Sequence, residues 1–141
     1  MSQGRVRIVI VPCSGIGKSY GTVSREAAFQ LTESVRPDST QLIPLSLLVL
    51  GEEKAKSALA GNPAVTIDGC KLACATKMVN QSGGQVAADL AVLDVFRRNR
   101  DCKPQGIAEL NQGGLALAAA LAEEVATIVD SLVSEKGESD A

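Results

Sequence analysis

A short apolar run near the start of the chain constrains the fold more than any other segment. RVRIVIVP at residues 5–12 is rich in valine and isoleucine and ends at a proline, a pattern typical of a buried strand. Gly15 and Gly17 allow a turn after it, and a helix is predicted over residues 19–35. The apolar stripe of this helix consists of Val23, Ala27, Ala28 and Leu31. A buried strand followed by an amphipathic helix is typical of a parallel α/β fold.

The alternation of strands and helices continues along the chain. The next predicted elements are a strand in QLIPL at residues 41–45, a helix over 52–59, a strand in AVTI at 64–67, a helix over 70–80 and a strand within 86–95. Pro44 restricts the second strand to a strand end or a sheet edge. A last helix begins near Gly113, and its apolar face consists of Leu117, Leu121, Val125, Ile128, Val129 and Leu132. The sequence therefore predicts a Rossmann-like three-layer α/β/α sandwich around a mostly parallel sheet of about four strands.

Length and composition indicate a single domain. A chain of 141 residues is long enough for one hydrophobic core, and we assign residues 1–134 to a single α/β domain. The remaining residues, 135–141, read EKGESDA and are predicted to be a disordered tail, because they include too few apolar side chains to pack.

Two features of the composition exclude whole classes of function. The chain contains no histidine, which excludes Ser-His-Asp and Cys-His catalysis and any zinc site that needs an imidazole. Aromatic residues make up only 2% of the chain and the net charge is −2, so nucleic acid would find neither stacking platforms nor a basic surface. No apolar run is long enough to cross a membrane, and the N-terminal run, residues 8–11, is too short for the core of a signal peptide. We therefore predict a cytoplasmic protein without nucleic-acid or membrane partners, whose cysteines are reduced.

Three of the four cysteines lie at predicted strand-to-helix junctions. Cys13 follows the first strand, and Cys70 follows the third. If the strand order begins 2-1-3, these two cysteines meet at the carboxyl edge of the sheet, where open α/β sheets bind ligands. Cys70 and Cys74 are predicted to share a face of one helix, one turn apart, near an N-terminus that favours the thiolate. Asp68 is a candidate cap for the first amides of that helix.

The same junctions resemble a known family. PCSGIGKSYGTVSREAAFQL at residues 12–31 and VTIDGCKLACATKMV at residues 65–79 resemble the DGC-domain family, which takes its name from the motif found here as Asp68-Gly69-Cys70. The resemblance covers residues 5–80, and the family is described as zinc-binding. It implies a small α/β protein that holds a metal through cysteine thiolates at the carboxyl edge of its sheet.

The resemblance also implies a set of metal ligands. The family has four cysteines that could chelate a metal, and three of them match Cys13, Cys70 and Cys74. The fourth falls between the two motifs, where this chain reads TQLIPLSLLVLG and has no cysteine. Cys102 is the candidate replacement; otherwise Asp68, a water or an external thiol would complete the site. Zinc is the expected metal, although an iron–sulfur cluster or copper(I) would also suit all-sulfur ligation.

The loop after the first strand allows a phosphate-binding interpretation. GIGKS at residues 15–19 matches the end of a nucleotide-binding phosphate loop, but Pro12 stands where that motif requires glycine. A weaker prediction is a small-anion site formed at the helix N-terminus. Its residues would be Ser14, Gly15, Gly17 and Lys18. Four basic residues of a later segment would support this site if their loop folds over the same edge: Arg97, Arg98, Arg100 and Lys103.

A redox function is the remaining interpretation. Cys13 could form a transient disulfide with Cys70 or Cys74 in a cytosolic thiol protein. The chain has no Cys-x-x-Cys motif, and no carboxylate pair suggests acid–base catalysis. The sequence therefore leans towards a metal-binding protein rather than an enzyme, and it leaves the biological role open.

Overall fold

A four-stranded parallel sheet forms the centre of the protein. The computed structural model describes residues 7–13, 17–69 and 72–140, with side chains up to residue 135. The strands are β1 (Ile8–Pro12), β2 (Thr40–Leu42), β3 (Ala64–Asp68) and β4 (Val86–Ala91). In the described chain they lie in the order β2-β1-β3-β4, and every neighbouring pair is parallel.

Helices connect the strands and cover both faces of the sheet. They are α1 (Ser19–Gln30), which continues into a π-helical turn (Leu31–Val35), then α2 (Leu45–Leu50), α3 (Glu53–Gly61), α4 (Cys74–Gln81), α5 (Val92–Arg97) and α6 (Gln112–Asp140). The predicted α/β sandwich with a parallel sheet is confirmed. Pro44 follows β2, which lies at an edge of the sheet, as the sequence predicts.

Two hydrophobic clusters explain why β1 and β3 are buried along their whole length. One cluster lies between the sheet and α1, α5 and α6, and includes Ile8 and Ile10 of β1. We call this side the α1 face. The other cluster lies between the sheet and α2, α3 and α4, and includes Val9 and Val11. We call this side the α4 face. Alternate residues of β1 thus point to opposite clusters, as the pleat of a strand requires.

The predicted apolar stripes of the first and last helices form much of the α1-face cluster. Eight of their members are completely buried: Val23, Ala27, Ala28, Leu31, Leu117, Leu121, Val125 and Val129. Ile128 and Leu132 are partly buried against the same cluster. Burying one such leucine or valine side chain contributes roughly 1.5–3 kcal/mol, so these two helices provide a large share of the stability of this face.

The last helix continues further than the predicted domain boundary. α6 reaches Asp140 and so enters residues 135–141, for which the sequence predicts disorder. Side chains beyond residue 135 are not described, and the limits of the domain and its tail stay predictions. Among the residues that the structure describes, no helix combines the length and the apolar character needed to cross a membrane.

The helix predicted over residues 70–80 begins later than expected. It starts at Cys74, because Leu72 lies in a turn and Ala73 adopts a left-handed conformation (φ 52°, ψ 47°) that cannot be part of a right-handed helix. The prediction that Cys70 and Cys74 lie one turn apart on the same helix is therefore wrong. Cys70 itself lies outside the described residues.

The segment after β2 contains a helix that the sequence analysis did not anticipate. α2 is only six residues long, since Pro44 precedes its first turn and Gly51 ends it in a left-handed conformation (φ 77°). The helix predicted over residues 52–59 is observed as α3, and the carboxylate of Glu52 caps it by accepting from Lys54 N–H and Ala55 N–H.

An ion pair joins the end of the π-helical turn to α6. Arg36 donates from Nε and Nη2 to the two carboxylate oxygens of Asp130, at 2.8 Å each. The hydrogen bond from Arg36 lowers the pKa of Asp130 from its ordinary value of 3.8. The same bond raises the pKa of Arg36.

Replacing Asp130 with asparagine is expected to cause a small, pH-dependent loss of stability. Both side chains are well exposed, so salt screens their attraction. A carboxyl group whose pKa is lowered by folding contributes stability above its unfolded pKa and loses it as the pH falls through the folded pKa. Urea midpoints of the wild type and Asp130→Asn should therefore differ at about pH 7, and the difference should shrink as the pH falls below 3.8, the ordinary pKa of this carboxyl group. A difference that is unchanged at low pH would contradict this account.

Candidate functional site

The carboxyl ends of β1 and β3 meet where the strand order reverses. β1 leads through α1 to β2 on one side, and β3 leads through α4 to β4 on the other, with the two helices on opposite faces. Open α/β sheets bind ligands in the crevice that such a reversal creates. The predicted proximity of the loops after the first and third strands is confirmed, because Cys13 contacts Gly69 directly.

The sulfur of Cys13 takes the place of a carbonyl oxygen in the hydrogen-bond ladder. Cys13 N–H donates to the carbonyl of Ile67 at 2.8 Å, as a regular parallel ladder requires. The next bond of that ladder would run from Gly69 N–H to the Cys13 carbonyl. Gly69 instead donates to Cys13 Sγ, with the nitrogen 3.1 Å from the sulfur. The thiol, whose residue is only 6% exposed, is therefore held against the turn that leads into Cys70.

Ser24 of α1 holds Cys13 from the other side, and the sequence analysis missed this role. The side chain is completely buried. Its Oγ lies 3.1 Å from the carbonyl oxygen of Cys13, 2.6 Å from that of Gly21 and 3.5 Å from Cys13 Sγ. A hydroxyl has one proton to donate, so Ser24 can serve one carbonyl at a time while accepting from the thiol. In the sequence, the feature that could have indicated this role is the position of Ser24, a polar residue one turn before Ala27 and Ala28 within the apolar stripe of α1.

Asp68 anchors the start of α4. Its carboxylate is buried and accepts from Ala75 N–H at 2.8 Å and from Thr76 N–H at 3.3 Å. The hydroxyl of Thr76 donates to it at 2.8 Å and also lies 2.6 Å from the hydroxyl of Thr66 in β3. The prediction that Asp68 caps this helix is confirmed. Both oxygens of Asp68 accept hydrogen bonds from the first turn of α4. Asp68 thereby joins the end of β3 to the start of this helix and positions the turn that contains Gly69.

Gly69 allows this turn to pack directly on the first turn of α1. A Cβ atom at this position would lie 3.0 Å from the backbone nitrogen of Gly21 and 3.1 Å from the carbonyl carbon of Tyr20. These distances are shorter than carbon side chains normally tolerate. The Asp68-Gly69 turn and α1 are therefore in backbone contact beside Cys13.

The other described cysteines have different surroundings from Cys13. Cys74 is exposed at the first position of α4. Cys102, between α5 and α6, is partly buried against the α1-face cluster, whereas Cys13 belongs to the α4-face cluster. Within residues 7–13, 17–69 and 72–135, no group of three cysteine or carboxylate side chains is arranged to hold a metal. Since Cys70 lies outside these ranges, the ligand set Cys13, Cys70 and Cys74 stays a prediction, as does Cys102 as a fourth ligand.

The predicted anion site is described only in part. Ser14 and Gly15 lie outside the described residues. Gly17 is exposed with φ 91°, which glycine adopts without strain. Lys18 is exposed at the N-cap of α1, in an extended conformation, and its side chain makes no capping hydrogen bond. An anion site at this helix end stays a prediction.

The loop that follows the basic segment contacts the same end of α1 through its backbone. Thr22 Oγ1 donates to the carbonyl of Ile107 at 2.6 Å, which ties the loop before α6 to the first turn of α1. Two of the basic side chains pair with acidic residues on α5 and α6: Arg97 with Asp94, and Arg98 with Glu124. The loop thus folds over this edge, but these two arginines make their ion pairs along α5 and α6.

The fold and this site define an α/β protein with cysteine-bearing loops at the reversal point of a parallel sheet. The family model of the DGC domain matches residues 9–113, from β1 to the beginning of α6. The chain therefore belongs to the DGC-domain family. The match extends well past residue 80, where the recognisable motifs end. Neither the curated proteins nor the solved structures include a match to this chain.

Proposed function

We propose that the protein binds zinc through the thiolates of Cys13, Cys70 and Cys74, at the carboxyl ends of β1 and β3. The observation that carries this proposal is the 3.1 Å contact between the nitrogen of Gly69 and Cys13 Sγ. Gly69 immediately precedes Cys70 in the sequence. The Cys13 sulfur therefore contacts the residue next to the second proposed ligand. Thiolates that share one tetrahedral zinc must lie within about 4 Å of each other.

The chemistry of the available donors supports zinc over harder cations. The chain has no imidazole, and the oxygens of Asp68 already accept three hydrogen bonds. Sulfur is then the main donor, and thiolates prefer zinc, copper(I) and iron–sulfur clusters to magnesium or calcium. With three protein ligands, zinc keeps a fourth position for a water or an external thiol. Such coordination suits a protein that carries zinc or presents it to a thiol ligand.

The surroundings of Cys13 would orient its sulfur towards the metal. Ser24 and Gly69 contact that sulfur from α1 and from the turn after β3. Asp68 fixes the first turn of α4, which begins with Cys74. Groups that orient ligands in this way typically change metal affinity by about 10–100-fold when they are removed.

Metal analysis of protein purified without an affinity tag tests the proposal. The wild type should contain about one zinc per chain. Cys13→Ser, Cys70→Ser and Cys74→Ser should each lower zinc affinity by more than about 100-fold, measured by competition with a chromogenic chelator. Cys102→Ser is the matched control, and it should keep its zinc because that side chain packs on the opposite face of the sheet from Cys13.

Three outcomes would contradict the proposal. Less than about a tenth of an equivalent of any transition metal in the wild type would exclude metal binding. Equal zinc affinity in Cys13→Ser and Cys102→Ser would remove Cys13 from the site. Iron with inorganic sulfide in place of zinc would identify a cluster instead.

A further inference from the structure

The short helix α2 is apolar on all its sides, although only part of it is buried. Five of its six residues are apolar, and Ser46 is the exception. Leu45 and Leu48 belong to the α4-face cluster. Val49 and Leu50, in contrast, are 67% and 78% exposed, more than any other large apolar side chain among the described residues. Since a helix that is apolar all round is normally covered on all sides, the exposed part of α2 has the character of an interface.

An open groove of about 550 Å³ runs along this exposed part. The described residues that line it all belong to α2 and are Leu45, Ser46, Leu47, Val49 and Leu50. We call the surface that they form the α2 patch. It carries no charge, and the uncharged stretch is longer than the helix. Residues 39–51 contain no aspartate, glutamate, lysine or arginine, in a chain of which 21% is charged.

Side chains of both charges border the α2 patch. Two residues separate α2 from α3, and Glu52 N–H donates to the carbonyl of Leu47 at 3.0 Å, which ties the two helices together. Glu53, Lys54 and Lys56 lie exposed in the first turn of α3. Within the described part of the chain, none of these three makes an ion pair. An apolar centre with a polar rim is the usual composition of a protein–protein interface.

A second copy of this chain fits these features better than a membrane does. In a two-fold dimer each surface patch meets the same patch of the partner, so a charge at its centre would face its own like charge. The α2 patch has no such charge, and the acidic and basic side chains at its rim can pair across the axis. Helices that lie in a membrane surface carry lysine and arginine on their polar face, and α2 has neither.

We propose that the α2 patch forms the contact of a two-fold homodimer, in which Val49 and Leu50 of each copy pack against the α2 patch of the other. Stable interfaces bury about 800 Å² per partner, which is more than the exposed part of one six-residue helix provides. The dimer is therefore weak, with a dissociation constant on the order of 100 μM. It does not depend on zinc, because Cys13, Cys70 and Cys74 lie outside α2.

Sedimentation equilibrium measures this dimer, with a reductant present to prevent disulfides between copies. The wild type should be mostly monomeric at about 10 μM and mostly dimeric at about 500 μM. ¹⁵N NMR spectra over the same concentrations locate the contact. Signals that shift with concentration should be those of α2 and of the first turn of α3.

One variant and one matched control assign the contact to the α2 patch. Leu50→Glu places like charges across the two-fold axis and should weaken the dimer by more than about tenfold. Leu115→Glu makes the same replacement at a leucine of α6 that is 44% exposed, and it should leave the dissociation constant unchanged. Urea midpoints check that both variants are folded.

Cys70→Ser/Cys74→Ser distinguishes this dimer from one held by a shared zinc ion or by a disulfide. A dimer that persists in this variant supports the α2 contact, whether or not the protein binds zinc. Loss of the dimer with the two cysteines would overturn the proposal. So would a wild type that is still monomeric at about 500 μM, or equal dissociation constants for Leu50→Glu and Leu115→Glu. Broadening of the α2 signals by vesicles of phosphatidylcholine and phosphatidylglycerol, in a protein that stays monomeric, would identify a membrane as the occupant instead.

Discussion

Replacing Asp68 with alanine is expected to lower the free energy of unfolding by about 2–3 kcal/mol. The carboxylate is 4% exposed and accepts three hydrogen bonds from the first turn of α4. Without it, Ala75 N–H and Thr76 N–H lose the acceptor that they have in the protein. The turn before Cys74 should then open, as measured by faster hydrogen exchange at Ala75 and Thr76.

Two further variants distinguish the effect of losing the helix cap from the effect of losing a negative charge. Asp68→Asn keeps the shape of the side chain but replaces one acceptor oxygen with an NH₂ group. Because Ala75 N–H and Thr76 N–H bond different oxygens of Asp68, one of them loses its acceptor, and about half the loss is expected. Asp89→Ala removes an exposed carboxylate on β4 and should change stability by less than about 0.5 kcal/mol. Urea unfolding followed by circular dichroism measures all three. Similar losses for Asp68→Ala and Asp89→Ala would show that the cap contributes little.

The parts of the fold that were predictable from the sequence follow simple periodic patterns. β1 and β3 are buried on both faces. β1 therefore has a continuous apolar run, and β3 has an apolar run that only Thr66 interrupts before Asp68. The stripes of α1 and α6 repeat at helical spacing, and all their members except the partly buried Ile128 and Leu132 are completely buried. The proximity of Cys13 to the turn after β3 followed from the expected strand order. These features depend on local pattern and on general topology, both of which a single sequence contains.

The start of α4 was not predictable, because it depends on a contact across a turn. Asp68 accepts from Ala75, seven residues further along the chain. That bond favours a helix start at Cys74, although the intervening left-handed Ala73 costs roughly 1–2 kcal/mol. Local propensity alone allows the helix to start at Cys70. The role of Ser24 was hidden for a similar reason, since it becomes visible only when α1 packs against the end of β1.

Adding a side chain at Gly69 is expected to have a comparably large effect on stability. The Cβ of alanine would lie 3.0–3.2 Å from three backbone atoms of Tyr20 and Gly21 in the first turn of α1. Backbone atoms cannot rotate away as a flexible side chain can, so either the turn or the helix must shift. Overpacking of this kind typically costs about 1–3 kcal/mol. We expect a loss in that range for Gly69→Ala and a larger one for Gly69→Val.

Gly61→Ala is the matched control, because a Cβ there would meet no atom within 4 Å. Gly61 is the last residue of α3, and its replacement should leave stability unchanged or raise it by about 0.4–1 kcal/mol. Gly69→Ala should also move the Gly69 nitrogen away from the 3.1 Å contact with Cys13 Sγ, and thiol reagents should then modify the buried Cys13 faster. This can be followed in a Cys70→Ser/Cys74→Ser/Cys102→Ser background, in which Cys13 is the one remaining thiol. Equal urea midpoints and equal Cys13 reactivity in the two glycine variants would show that the turn can move away from α1 without cost.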